Sequence, residues 1–480
     1  MRILWHALPV LALAGVAGVT GAQFVLLVSA SIELYHARQR DRHQLWRRVL
    51  GSPLAPRVSV IVPAYNEERS IVTTVNSLLA LLYPNLELVV VDDGSSDRTL
   101  EVLISEFELS PIHPVFRKTL PTKPVRAIYR SGFESRLVVV DKENGRKADA
   151  TNVGLNVASG DLVCTIDADT LISPDALQHL VAPFLLDDRT AAIGGTVRLT
   201  NDSVVRAGRI DQQRAPRKWL AGVQAVEYTR AFLVGRVGWN LLGGNLIISG
   251  AFGVFRRDAL LAAGGYEHST IGEDMELIAR LRRRGYEVGA PVRVEFSPDP
   301  VAWTEAPESI RSLARQRNRW YRGLLEVLVR HRVMLFNPRY GSAGLLGLPY
   351  YLIVEALAPI LEIIGIVGLS IGFATGHLGV GSVELVAFAY MLGAVVSIMT
   401  LMFDEWAYHS YRGAFDRALL CVYAISEQIV YRPMNLAWRV WGLVSKFRGS
   451  SEWGEMQRSG YTVAPPEIGS TSSVGPLRGR

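Results

Sequence analysis

Two long apolar stretches flank the middle of this chain, and they constrain its architecture more than any other feature. Residues 4–34 are apolar apart from His6 and Glu33 near the two ends, a run longer than the roughly 20 residues that span a bilayer. Apolar character returns after Gly341. Residues 345–373 form one run, interrupted by Pro349, Glu355, Pro359 and Glu362, and 383–403 form a cleaner one. The residues between, 57–332, have the mixed composition of a water-exposed domain. A chain of 480 residues that is 49% hydrophobic and 20% charged, with a mean hydropathy of +0.19, is too apolar for an ordinary soluble enzyme and too polar for a pure transporter. The expectation is a soluble unit carried on membrane helices.

The charge pattern orients these parts. The first run is too long for a signal peptide, lacks a clear cleavage site, and leads into Arg38, Arg40, Arg42, Arg47 and Arg48. It reads as a retained anchor over 1–36 with its basic flank in the cytoplasm and the N-terminus outside. The connector 374–381 has no Lys or Arg and suits an outside loop, whereas the charged 404–417 suits the inside. Residues 418–444 carry Glu427, Arg432 and Arg439 at helical spacing, with Pro433 among them. They are expected as amphipathic helices on the cytoplasmic interface rather than a further crossing. The segments that follow from this are a 55–335 cytoplasmic domain, 342–447 transmembrane and interfacial helices, and a 448–480 tail whose last residues are Gly-, Ser- and Pro-rich. The cell (inner) membrane is the expected location.

The formal net charge is +6. Its basic residues gather beside the apolar runs and in one later helix (Arg311, Arg315, Arg317, Arg319, Arg322), without the aromatic interleaving of single-strand binders, so membrane lipid and phosphate are expected partners and nucleic acid is not. The two cysteines, Cys164 and Cys421, exclude a disulfide framework. Cys164 has apolar neighbours and reads as a small core residue.

Within the middle segment, short β-branched runs alternate with helical spacing. Strands are expected at 58–62, 86–91, 137–140, 162–166 and 191–197, with helices at 67–81 and 97–107. This alternation predicts an α/β domain with a mostly parallel sheet, helices on both faces, and functional loops at the C-terminal ends of the strands. The polar, Pro-containing 110–124 reads as a surface insertion without chemistry.

Several of those strand ends are acidic. The run through Val91 ends in Asp92-Asp93, which can accept hydrogen bonds from a nucleobase and ribose, or merely turn the chain, with Asp97 capping the next helix. The run through Ile166 ends in Asp167-Ala168-Asp169. Two carboxylates at i and i+2 can converge on one hard divalent ion, Mg2+ or Mn2+, that bridges a nucleotide diphosphate; a polar turn is the plainer reading. Gly145-Arg146-Lys147-Ala148 opens a helix, where Arg146 or Lys147 can face a phosphate or only solvent. Glu273-Asp274 opens another, where a carboxylate can serve as a general base or simply complement the helix dipole. In Gln316-Arg317-Asn318-Arg319-Trp320, residues 316, 319 and 320 share one helix face. That face suits a diphosphate and a stacked sugar ring, or a basic helix at a membrane surface.

In this order, and with membrane helices on both sides, these motifs resemble the processive family-2 membrane glycosyltransferases: the cellulose, chitin, hyaluronan and poly-N-acetylglucosamine synthases. The resemblance covers about 55–335. It implies a GT-A-type nucleotide-sugar-binding domain flanked by transmembrane and interfacial helices, and inverting transfer from a nucleotide sugar, a UDP-sugar, to a growing glycan. By position, Asp92 and Asp93 would contact the uridine, Lys147 the diphosphate, and Asp167 and Asp169 a divalent metal. Asp274 would be the base, beside Glu273. Gln316, Arg317, Arg319 and Trp320 would form the channel entrance, and Ser249-Gly250-Ala251-Phe252-Gly253 the acceptor-side loop. Trp453 and Arg458 are loosely similar to a gating segment of hyaluronan and chitin synthases. The chain departs from the family at Gly272, where many members carry Thr, and shows only three clear crossings. Coupled export is expected; export partners are not legible. A non-processive transferase acting on a membrane lipid, and a transporter or receptor with a nucleotide-sensing domain, are the competing readings.

Overall fold

A computed structural model describes residues 2–42, 49–113, 116, 118–206, 208–376 and 380–447. Trp453, Arg458, Arg47 and Arg48 lie outside the described residues. The strands are β1 (Val58–Ala64), β2 (Leu86–Asp92), β3 (Leu109–Ile112), β4 (Val125–Ser131), β5 (Leu137–Lys142), β6 (Leu162–Ile166), β7 (Leu171–Ile172), β8 (Thr190–Leu199), β9 (Val204–Arg206), β10 (Arg209–Gln212), β11 (Phe252–Arg256) and β12 (Arg293–Thr304). All but β9 and β10 join one sheet in the order β3-β4-β5-β2-β1-β6-β11-β8-β12-β7.

Its centre, β5-β2-β1-β6, is parallel. These strands are Val- and Ile-rich and buried on both faces, as a sheet covered by helices requires; Val60, Ile61, Val89 and Val139 have no exposed surface. Their C-terminal ends lie side by side, with Ala64 opposite Asp92 and Asp92 opposite Asp141.

The expectation of a mostly parallel sheet is corrected at both flanks. β3 and β4 pair antiparallel with each other and β4 with β5. β11 lies antiparallel to β6 and β8. Part of the segment read as a surface insertion is therefore structural: Leu109–Ile112 is the edge strand, and Leu120 is buried, its N–H donating to Asn156 Oδ1 at 2.9 Å. Edge strands are solvated on one side, so β3 and β4 lack the continuous apolar run that marks the central ones.

The helices used below are α1 (Arg2–Arg42), α2 (Ile71–Leu79), α3 (Thr99–Glu106), α4 (Arg146–Val157), α5 (Ala176–Leu186), α6 (Trp219–Thr229), α7 (Val237–Leu242), α8 (Arg257–Ala263), α9 (Glu273–Glu287), α10 (Ile310–Arg330), α11 (Ala358–Ala374), α12 (Val380–Tyr408), α13 (Ala414–Ser426) and α14 (Arg432–Phe447). Among the described residues, three stretches are helical, long and apolar enough to cross a membrane: Gly15–Gln39, Ala343–Ala374 and Ala387–Tyr408. They turn large apolar side chains outward, among them Val28, Val367 and Met399.

Glu427, Arg432 and Arg439, read as the polar face of an interfacial segment, turn inward onto other helices. Glu362 in α11 is buried and accepts from Arg432 Nε at 2.8 Å, Arg432 Nη2 at 2.9 Å and the Tyr390 hydroxyl at 2.5 Å. Arg439 Nη1 donates to the Glu355 carbonyl at 2.9 Å. Glu427 accepts from Arg230 Nη1 at 2.8 Å. The exposed side of the same segment is apolar, with Val422, Ile429 and Val430. Buried charges persist where they are paired and hydrogen-bonded, and Glu355 and Glu362 supply that pairing. Glu362→Leu should therefore cost about 3–5 kcal/mol by stranding Arg432. Much of the loss should return in the E362L/R432L double variant, measured as thermal unfolding in detergent; equal destabilisation in the double variant would contradict this pairing.

Candidate functional site

The loops at the ends of β1 and β2 are cross-braced. Asn66, held at φ 56°, accepts through Oδ1 from Ser96 N–H at 2.8 Å, while its own N–H donates to Ser95 Oγ at 3.0 Å. Asp97 accepts from Glu68 N–H at 3.2 Å and Thr99 N–H at 3.0 Å. Asn tolerates positive φ and bonds the local backbone, which was the available signal for a role that the sequence reading missed.

Asp92 and Asp93 are both buried. Asp92 accepts from Ser95 Oγ at 2.5 Å. Asp93 is ion-paired with Lys142 and accepts from Gly145 N–H at 2.9 Å. Lys142 is fully buried and also pairs with Asp149 at 2.8 Å. Burial raises both Asp92 and Asp93 above the usual carboxylate range, opposed for Asp93 chiefly by Lys142. The carboxylates expected to face a uridine are thus engaged by the protein itself, and they fix the loop that leads to Lys147.

Five other sequence-derived residues, Lys147, Asp167, Gly250, Glu273 and Asp274, converge on one pocket, which Tyr266 also lines. Lys147, in the first turn of α4, places Nζ 2.5 Å from Asp167 Oδ1 and donates to the Gly250 carbonyl at 3.2 Å. Gly250 N–H in turn donates to Asp274 Oδ2 at 3.2 Å. Burial opposes the charge on Lys147, but Asp167, Glu273 and Asp274 outweigh it and hold its pKa above the ordinary range. Burial also pushes Glu273 up. On the β6 side, Thr74 of α2 donates to the Ala168 carbonyl at 2.6 Å and pins the turn between Asp167 and Asp169. The loop 249–253 closes against the same turn, with Asp167 N–H donating to the Ala251 carbonyl at 3.2 Å.

This is a carboxylate-rich cleft around a single ammonium, and its oxygen donors fit a hard divalent ion. Among the described residues no group of three or more His, Cys, Asp or Glu side chains is arranged as a complete metal site. An incomplete protein shell suits Mg2+ or Mn2+, which bind through one or two carboxylates and complete their coordination with phosphates and water. Asp167 and Asp169 are both half-buried at the strand end.

The helix carrying the aromatic–basic motif docks directly on the turn that carries Glu273 and Asp274. Gly272 and Gly323 meet backbone to backbone. A Cβ on Gly272 would lie 3.2 Å from Gly323 Cα, and one on Gly323 would lie 3.0 Å from Gly272 Cα. The glycine that departs from the resembled family is therefore a contact point between α9 and α10. Trp320 is 43% exposed, with the Arg317 guanidinium 4.5 Å from its ring centroid. Arg317 itself is drawn inward, its Nη2 donating to Glu227 Oε2 at 2.6 Å, while the Tyr431 hydroxyl donates to the same oxygen at 3.0 Å. Arg319 lies within electrostatic reach of Glu273. Gln316 Oε1 is enclosed with no hydrogen-bond partner among the described residues. The sequence reading also missed Glu276. Buried in α9, it accepts from Arg280 Nε at 2.9 Å, and Arg280 Nη2 donates to the Gly265 carbonyl at 2.8 Å. The i,i+4 spacing of Glu276 and Arg280 was the signal.

Residues 56–323 match the family described as glycosyltransferase like family 2. The chain belongs to glycosyltransferase family 2. Its mixed sheet, with acidic strand ends around one cleft, is the family's GT-A-like fold, and the protein is a glycosyltransferase. This family-2 member is 30% identical over 276 residues to the poly-beta-1,6-N-acetyl-D-glucosamine synthase of Staphylococcus aureus (strain COL), covering 57% of this chain and 56% of that one. It is 28% identical over 273 residues to the synthase of the same name from Staphylococcus epidermidis, again covering 57% and 56%. The transferase thus spans about half the length of the relatives it matches. Among solved structures, a mannosyltransferase from Pyrobaculum calidifontis in complex with GDP-Man and Mn2+ is similar at 20% identity, covering 87% of this chain and 99% of that one with a TM-score of 0.48.

The glycine contact gives a direct test of the site's geometry. Gly323→Val should push α10 from α9, cost about 1–3 kcal/mol as an overpacked contact, and depress transferase activity with it. Gly323→Ala should do less of both. Melting in detergent and nucleotide release from a sugar donor are the measurements; a valine variant with unchanged activity would show that the contact does not position Asp274.

Proposed function

We propose that this transferase polymerises sugar units from a UDP-sugar, with UDP-N-acetylglucosamine the first donor to test, into an exopolysaccharide. The carrying observation is one pocket that joins Lys147, Asp167 and Asp274, with α10 packed at Gly323 on the turn before Glu273 and its Trp320 exposed. The donor is supported by the named activity of the staphylococcal relatives. An exposed indole backed by Arg317 suits a sugar ring that must be held and then released, as a growing chain demands; transfer of a single sugar needs no such platform.

In this reading Asp274 accepts the proton of the acceptor hydroxyl. That oxygen forms its bond to the anomeric carbon as the bond from this carbon to the diphosphate oxygen breaks, with inversion. Gly250 N–H fixes one oxygen of Asp274, and Met275 N–H, donating at 2.9 Å, fixes the other. Lys147 releases Asp167 to the donor and offers its ammonium to the departing nucleoside diphosphate, a charge-assisted contact. A divalent ion on Asp167 and Asp169 supplies further neutralisation of that leaving group when bound. The basic flank of α1 and the polar 404–417 segment support a cytoplasmic catalytic domain, and the three apolar helices support export coupled to synthesis.

Asp274→Asn should preserve UDP-sugar binding, read by calorimetry, and reduce transfer by about 100-fold or more, the range of general base catalysis. Transfer that survives this change would remove Asp274 from the role. Chelation should stop nucleotide release and added Mg2+ or Mn2+ should restore it. Indifference to chelator would remove Asp167 and Asp169 from metal binding.

A further inference from the structure

Two stripes of exposed apolar side chains run toward one place on the molecule. On α12 the stripe passes through Val395, Met399, Met402 and Trp406. On α13 it begins at Phe415 and continues through Val422 and Ile425. These spacings keep each stripe on one helix face. Trp406 ends the first and Phe415 begins the second, so the short segment between them is a rim where apolar surface gives way to the catalytic domain. The end of α1 reaches the same rim: Arg38 Nη2 donates to the Ala407 carbonyl at 2.6 Å, and its Cζ lies 4.5 Å from the Trp406 ring centroid. Arg217 Cζ lies 4.9 Å from the Phe415 centroid. Indole and arginine at the end of an apolar span mark the depth of lipid headgroups.

The rim is tied to the catalytic domain. Arg198, near the end of β8, pairs with Asp404 at 2.5 Å, and the Ser410 hydroxyl donates to Asp404 at 3.1 Å. Beside this tie lies a polar cavity of about 290 Å³, walled by residues 211–214 after β10 on the domain side and by 408–413 on the membrane side.

The cavity has more positive charge than its own side chains satisfy. Its two carboxylates are already matched, Asp211 by Arg206 at 3.4 Å and Asp416 by Arg217 at 3.0 Å. Its two arginines are not. Arg214 donates to the Gln212 amide oxygen at 3.2 Å, and Arg412 is exposed. Neither has an ion-pair partner among the described residues. Two guanidinium groups on opposite walls suit an anion with several oxygens, and phosphate is the anion that arginine meets best. At the foot of two apolar stripes, phosphate arrives on a bilayer lipid whose chains can lie along those stripes. A zwitterionic headgroup brings its own ammonium against the two arginines, so a lipid of net negative charge fits better.

We propose that this cavity binds the headgroup of an anionic phospholipid, its phosphate bridging Arg214 of the catalytic domain and Arg412 of the membrane rim. The bound lipid holds the domain against the bilayer. This role is separate from the sugar-transfer site and does not depend on which sugar is used.

The test uses the full-length protein, delipidated in detergent and titrated with phosphatidylglycerol, phosphatidylcholine or inorganic phosphate, with thermal unfolding as the readout. Phosphatidylglycerol should raise the midpoint to a plateau, as a ligand of the folded state does. Phosphatidylcholine should need about tenfold or more higher concentration for the same rise. The R214Q/R412Q double variant should weaken phosphatidylglycerol binding by about tenfold or more, in line with the loss of two basic residues at an anionic lipid. Its midpoint without lipid should match wild type, because neither arginine pairs with a carboxylate. Should the double variant fail to fold, Arg412→Gln alone carries the comparison. A rise of equal strength in the variant, or with phosphatidylcholine, overturns the proposal. So does inorganic phosphate that acts as strongly as the lipid, which would make the cavity a site for free phosphate.

Discussion

The ammonium of Lys147 is the interaction on which the site depends. It touches Asp167 at the end of β6 and the Gly250 carbonyl, and Gly250 in turn holds Asp274. Three segments far apart in sequence are thereby fixed around one charge. Without a cation the carboxylates Asp167, Glu273 and Asp274 would repel one another in a half-buried cleft. In the proposed reaction Asp167 would meet positive charge and the Lys147 ammonium, which now pairs with it, would meet a phosphate.

Around this centre the rest of the molecule acts as support. The four parallel strands bring acidic ends together because their side chains are buried on both faces and leave polar residues only at the termini. Lys142 pairs with both Asp93 and Asp149. Gly272 and Gly323 let α10 lie against the Glu273–Asp274 turn. On the far side, the pairs of Arg432 with Glu362 and Arg439 with Glu355 tie α14 to the apolar helices.

Much of this was legible in the sequence because it is local. A Val-rich run beside an aspartate reads as a buried strand, so β1, β2, β5 and β6 could be read from short windows, whereas Lys147, Asp167 and Asp274 stood out only as members of an ordered set of motifs. What could not be read depends on distant partners. The pairing of Asp93 with Lys142 is visible only once β5 lies beside β2. Glu427, Arg432 and Arg439 looked solvent-facing because Glu355 and Glu362 sit in another apolar run. β3 and β4 were missed because half-exposed edge strands carry no continuous apolar signal.

The claim that the pocket builds a polymer, and not a single linkage, is open to one direct measurement: the size distribution of the product made by the purified full-length chain from radiolabelled UDP-N-acetylglucosamine in membranes. Long, enzymatically degradable chains that grow with time are the expected result. A product that stops at one sugar on a lipid would contradict the account, whatever the fate of the individual residue assignments.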